Sequence, residues 1–212
     1  MSGVEAFADR AAVVRRGVWL SYVSIGYNSL EAIASLIAGV IAGSVSLLGF
    51  GVDSLIEVTS GSAAQWRLRS DRDAADRERI ERITHKVIGW SFLALALYIL
   101  ADSANSLWLH DHPRRSWFGV AVLSLSIIGM PVLARAKRDV ARTLASSALG
   151  ADATQTSLCA YLSGIALAGV ALNALLGWWW ADPVAALLMV PIIVREGWDG
   201  ISARSGGKES CC

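Results

Sequence analysis

The sequence predicts an all-α membrane protein, a bundle of six transmembrane helices with both termini cytoplasmic. Three observations carry this expectation. Of the 212 residues 54% are hydrophobic and the mean hydropathy is +0.48, a balance found in membrane proteins rather than in soluble domains. The apolar residues gather into six runs, each approaching the roughly 20 residues that a helix needs to cross the bilayer core. The basic residues are one-sided: of 19 lysines and arginines, only Arg114 and Arg115 fall on the opposite side from the rest, and positive excess marks the cytoplasmic face.

The spans are expected at about 17–40, 45–66, 87–108, 117–134, 149–172 and 178–194, between a cytoplasmic segment 1–16 and a cytoplasmic tail 195–212. Residues 1–16 are polar and the apolar run after them has no small-residue cleavage site, so the first span reads as a retained helix and not a signal peptide. The link from Gly39 to Ser44 is too short to be more than a turn, and Gly39 and Gly43 form a small-xxx-small step that lets helices approach. The connection 67–86 mixes both charge signs and reads as a solvated helical extension that sets topology; no nucleic acid partner is expected. Arg135, Lys137, Arg138 and Arg142 are assigned to the next cytoplasmic connection. On the outer side, His110 and His112 are read as an exposed loop pair without a ligand role, and Trp178, Trp179 and Trp180 as an interfacial aromatic belt. Asp182-Pro183 should cap the sixth span, with proline in its first turn. The expected location is the cell membrane, as a multi-pass protein in contact with the lipid bilayer.

The chemistry is concentrated on two stripes. Asp53 and Glu57 lie four residues apart within the second span, so at 3.6 residues per turn both carboxylates share one face and can reach one ion between helices. Unpaired charge in lipid costs several kcal/mol, which makes such a pair a candidate functional site; a structural pair bonded to neighbouring helices is the alternative. In the fifth span Asp152, Gln155 and Cys159 fall at i, i+3 and i+7, again on one face. An acid, an amide oxygen and a thiol are all potential metal ligands, and the thiol shifts preference towards zinc or cadmium. Cys159 could equally be a small core hydrophobe, Gln155 a helix-to-helix hydrogen bonder, and Asp152 either an auxiliary ligand or proton acceptor or the N-cap of the fifth span. Glu31 and Asn28 share a face of the first span and suit a cross-helix structural role or the lining of a path. Asp102 and Asn105 sit close enough to the interface to be solvated.

Six spans with these stripes resemble the cation diffusion facilitator family, in the stretches Asn28 to Glu57, Ala151 to Cys159 and Trp180 to Trp198. The family carries a His or Asp followed four residues later by Asp on the second span, and a similar pair on the fifth. The resemblance therefore implies a bundle of cation diffusion facilitator type, with Asp53 and Glu57 as the first ligand pair and Gln155 and Cys159 as the second. The sequence departs from the family pattern at Gln155, Cys159, Glu57 and Phe50, so the metal does not carry over. About eighteen residues follow the sixth span, and the cytosolic ferredoxin-like domain typical of the family is not expected. A homodimer would rest on membrane helices.

The three cysteines, Cys159, Cys211 and Cys212, form no disulfide framework; the last two are either incidental tail thiols or a soft-metal capture point. No nucleophile triad, P-loop or dinucleotide motif is present, so neither an enzyme nor a cofactor is expected. The leading expectation is proton-coupled export of a divalent transition metal, zinc first, with cadmium, cobalt, iron or mercury as alternatives. Protons and metal would compete for the same carboxylates and thiol, which couples metal exit to proton uptake. A non-transporting metal-binding accessory protein or a helical scaffold is the competing expectation.

Overall fold

The computed structural model describes residues 3–69, 74–144 and 147–202. All regular structure among them is helical: α1 (Gly3–Ala42), α2 (Val45–Arg69), α3 (Ala74–Leu109), α4 (Trp117–Leu144), α5 (Ser147–Leu176) and α6 (Ala181–Ser202). Lipid offers no hydrogen bonds to the backbone, so a segment this apolar must satisfy its own amides, and the helix does so. The predicted spans lie within α1 to α5. The sixth begins three residues later than expected: Gly177 is left-handed (φ 70°), and Trp178 to Trp180 make the turn into α6, with Ala181 N donating to Trp178 O at 3.0 Å.

Most helices run on past their predicted spans at the end where the positive charges lie. α1 alone, at 40 residues, is about 60 Å long, twice the hydrocarbon core. Hydropathy marks where the chain is apolar, whereas Ala, Arg and Glu in the flanks keep good helix propensity in water. The side chains of the charged run 67–82 lie outside the described residues, as do Arg204, Lys208, Cys211 and Cys212.

The distribution of polarity is inverted relative to a soluble bundle. On α1, Ser21, Ser24, Asn28, Glu31 and Ser35 recur every three or four residues and are all buried, while Trp19, Leu30, Ile33, Ile37, Val40 and Ile41 face outward. Among the described residues, four helices are long and apolar enough to cross a membrane by length and composition, over Ala12–Ala42, Lys86–Leu109, Trp117–Leu144 and Asp152–Leu176. α2 is less apolar because Asp53 and Glu57 interrupt it, and it packs against four neighbours: α1, α3, α5 and α6.

α1, α2, α5 and α4 close a ring, through α1–α2, α2–α5, α5–α4 and α4–α1 contacts. α3 and α6 pack on each other and dock on α2, with α6 also against α5. The core between them is built on Leu47, Phe50, Ile99, Leu123, Met130 and Met189. A smaller cluster of Leu20, Val140, Ala141 and Leu149 joins α1, α4 and α5 at the charged end.

The α1–α2 hairpin departs from the expected small-xxx-small step. Gly39 does lie against α2, where a Cβ would come within 2.9 Å of the Leu48 side chain, but nothing stands within 4 Å of such an atom at Gly43. Gly43 instead supplies the left-handed residue of the turn (φ 64°), a conformation that glycine adopts without steric cost. The closest approach of a glycine to the backbone of another helix is elsewhere: a Cβ on Gly89 of α3 would meet Gly197 O of α6 at 2.7 Å. Gly89→Ala is therefore expected to destabilise the protein by about 1–3 kcal/mol through overpacking, whereas Gly26→Ala, with open space around it, should be neutral or stabilising. Thermal unfolding of the two variants in detergent micelles checks this, and equal behaviour would refute it.

Candidate functional site

α2 begins where Ser44 caps it, Leu47 N donating to Ser44 Oγ at 3.2 Å. The same helix end holds a second acceptor from across the bundle. Asp182 of α6 accepts from Val45 N at 2.9 Å, from Ser44 Oγ at 2.7 Å and from Ser46 Oγ. The expectation that Asp182 caps its own helix is thus corrected: Pro183 is in the first turn of α6, but the Asp182 carboxylate lies at the N-terminus of α2, where free amides and the helix dipole favour an anion. Two more bonds tie this loop end. Arg114 N donates to Ala42 O at 2.8 Å, and Asn173 Nδ2 donates to Pro113 O at 3.0 Å. His110 and His112, both exposed, rest against the Trp179 ring, with centroids 5.3 and 5.4 Å apart.

Held in this way, α2 turns Asp53 (5% exposed) and Glu57 (2%) inward. Both approach Cys159 of α5, which is buried and unoxidised. Glu57 Oε1 accepts from Thr156 Oγ1 of α5 at 2.6 Å. Thr156 Oγ1 in turn accepts from Lys137 Nζ of α4 at 2.9 Å. Lys137 Nζ also donates to Ser24 Oγ of α1 at 2.7 Å and lies 3.0 Å from Asp152 Oδ2 of α5. Asp152 is five residues inside α5, so the N-cap alternative does not hold. Glu31 forms a neighbouring group, with Ser54 Oγ donating to its Oε2 at 3.0 Å and the Tyr27 and Ser126 hydroxyls beside it.

Gln155 is placed differently from the rest of its stripe. It is half-buried and, with Asp53 and Glu196, lines a narrow cavity of about 10 Å³ between α2, α3, α5 and α6, walled by Phe92, Leu158 and Ile193. That is about the room one water occupies. Gln155 Nε2 has no hydrogen-bond partner, nor do Glu57 Oε2, Asp152 Oδ1 and Glu31 Oε1. Among the described residues, no three His, Cys, Asp or Glu side chains converge closely enough to hold a metal ion. The expected ligands therefore face one another across the α2–α5 interface without closing a coordination sphere. Asp152 is engaged by Lys137 and Glu57 by Thr156, while Asp53 and Gln155 look onto the cavity.

Comparison with known proteins bears on what this arrangement belongs to. The model of the cation efflux transmembrane domain matches residues 21–203, from within α1 to the end of α6. The chain belongs to the cation efflux family. A relative is Transmembrane protein 163 of Xenopus laevis, 28% identical over 138 residues, which is 65% of this chain and 49% of that protein. The chain thus spans about half the length of the relative. Both acidic stripes lie inside the matched region.

Sequence reasoning missed two side chains of the site. Thr156 was hidden beside Gln155: the face of α5 that meets Glu57 is Asp152, Thr156 and Cys159, and Gln155 is turned to its edge. Lys137 was assigned to a cytoplasmic connection, yet it is 2% exposed inside the bundle, and this corrects that expectation. The signal was present in spacing. Gly119, Leu123, Ser126, Met130, Ala134 and Lys137 follow one another at three or four residues, so the inward stripe of α4 continues through the lysine.

Asp182 anchors the loop end through three donors, and hydrogen bonds to charged groups are worth about 1.5–3 kcal/mol each. Asp182→Ala should therefore lower stability by at least about 2 kcal/mol, with Asp182→Asn losing less. Thermal unfolding in micelles would test the order, and an unperturbed Asp182→Ala would contradict the capping role.

Proposed function

We propose that this chain exports a divalent transition metal from the cytoplasm in exchange for protons by alternating access, with zinc first and cadmium, cobalt, iron or mercury as other substrates. Asp53, Glu57 and Cys159 are the primary ligands, Gln155 offers a neutral carbonyl oxygen, and Asp152 is the auxiliary ligand. Both termini are cytoplasmic, the protein resides in the cell membrane, and it pairs through membrane helices as a homodimer. The observation that supports the reading best is charge imbalance: five carboxylates, of Glu31, Asp53, Glu57, Asp152 and Asp182, are buried with a single buried ammonium among the described residues, that of Lys137. Buried anions in a bilayer need compensating cations, and protons or a metal ion supply them.

Metal enters from the charged end towards the small cavity that Glu196 shares with Asp53 and Gln155, while the loop end is closed by the Asp182, Arg114 and Asn173 hydrogen bonds. Metal moves from the cavity onto the α2–α5 stripe and leaves at the loop end once these bonds open. Protons that reach the carboxylates from outside displace it, because metal and proton require the same lone pairs. Gln155 cannot titrate, so coupling falls on the acids and the thiol. The membrane potential adds about 2.3 kcal/mol per charge per 100 mV, so exchange for two protons is electrically neutral and exchange for one works against the potential.

The dispersed arrangement of the ligands favours one competing reading, a membrane metal-binding accessory protein that does not turn over. Turnover separates the two. In sealed proteoliposomes with an imposed pH gradient, the wild type should accumulate Zn(II) or Cd(II) beyond stoichiometric binding, and Asp53→Ala should reduce the flux at least tenfold. Saturation at stoichiometric binding in the folded wild type would instead favour the accessory reading. Cys159→Ser should weaken Cd(II) and Zn(II) flux more than Mn(II) flux, because a thiolate prefers softer ions. Equal loss for every metal would assign Cys159 to packing.

A further inference from the structure

Lys137 is the polar group whose placement the transport reading above does not use. Its ammonium donates to Ser24 Oγ at 2.7 Å and to Thr156 Oγ1 at 2.9 Å, and it is ion-paired with Asp152 Oδ2 at 3.0 Å. Through Thr156 it is connected to Glu57 Oε1, so one cation serves an acid on α5 directly and an acid on α2 through a hydroxyl. The remaining oxygens, Asp152 Oδ1 and Glu57 Oε2, are buried without a hydrogen-bond partner. A buried ion pair by itself contributes little net stability compared with apolar residues of the same volume, so stability does not account for this lysine.

We propose that Lys137 is a tethered counter-cation that occupies the acidic stripe in competition with the transported metal. With Nζ on Asp152 and Thr156, the site holds one positive charge supplied by the protein itself, and Asp152 and Glu57 are kept apart from a metal's coordination sphere. A divalent ion arriving from the Glu196 cavity takes over the carboxylates, and Nζ leaves Asp152 on its flexible four-carbon stem. When the metal departs, Nζ returns, so the stripe is never left without a cation. The inference rests on the assignment of Asp53, Glu57, Cys159 and Asp152 as ligands. It adds that affinity is set by competition within the chain and not by the ligands alone.

A lysine that only supported the ligands would weaken metal binding when replaced; a competitor would strengthen it. The test is calorimetric titration of the full chain in detergent micelles with Zn(II) and with Cd(II), comparing the wild type, Lys137→Gln and the control Arg135→Gln. The control removes the same charge from an exposed position two residues away on α4. Lys137→Gln should bind about tenfold tighter than the wild type, and Arg135→Gln should match the wild type. If Lys137→Gln does not fold because Asp152 is left buried without its cation, Asp152→Asn is compared with Asp152→Asn/Lys137→Gln, in which the pair is neutral; the double variant should bind tighter. Unchanged or weaker binding in the variant that lacks the lysine, with a wild type that binds, would overturn the competitor role and leave the transport reading standing. Absence of binding in both the wild type and the lysine-free variants would overturn the transport reading, and the inference with it.

Discussion

Carboxylates enclosed by a bilayer-spanning bundle need an answering positive charge, and the interior of this protein is arranged around that need. Glu57, Thr156, Lys137 and Asp152 form a continuous polar chain that starts on α2, passes through α5 and α4, and reaches α1 at Ser24. Every helix of the inner ring contributes to it. The register between α2 and α5 is consequently set by a 2.6 Å hydrogen bond as well as by apolar packing, and in low dielectric such bonds are strong and costly to leave unmade.

Much of this was legible from residue order. The six helices, their approximate limits and the two stripes followed from hydrophobic run length and from the three- and four-residue spacing of polar side chains, and Asp53, Glu57, Asp152 and Cys159 all lie buried between helices. What escaped notice did so for identifiable reasons. A lysine among arginines beyond the end of an apolar run resembles a topology signal, and only its phase within α4 distinguishes it from its neighbours. Asp182 and Pro183 form a local capping pattern, but the carboxylate finds free amides on a helix 137 residues earlier in the chain, a choice that no local pattern encodes. Gln155 and Thr156 are adjacent, and a turn of about 100° per residue decides which of them meets Glu57.

The two ends of the bundle differ in how they are held. At the loop end, side chains and backbone of the three connections are cross-linked by Asp182, Arg114 and Asn173, so α1, α2, α5 and α6 are registered to one another there. At the charged end the helices extend beyond their apolar segments, and the small cluster of Leu20, Val140, Ala141 and Leu149 joins α1, α4 and α5 but not α3 or α6. The α3–α6 pair meets that ring through α2 and α5.

The contact of Gly89 with Gly197 lies within the α3–α6 pair and draws its two helices together. Backbone lies against backbone there, with the Leu93 and Ile201 side chains packed beside it, so the spacing of α3 and α6 leaves no room for a larger residue at either glycine. Glu196 directly precedes Gly197 and shares the cavity with Asp53, which belongs to the ring. The spacing of these two carboxylates is therefore fixed by how the α3–α6 pair is seated against α2 and α5, a packing between helices and not a property of either helix alone.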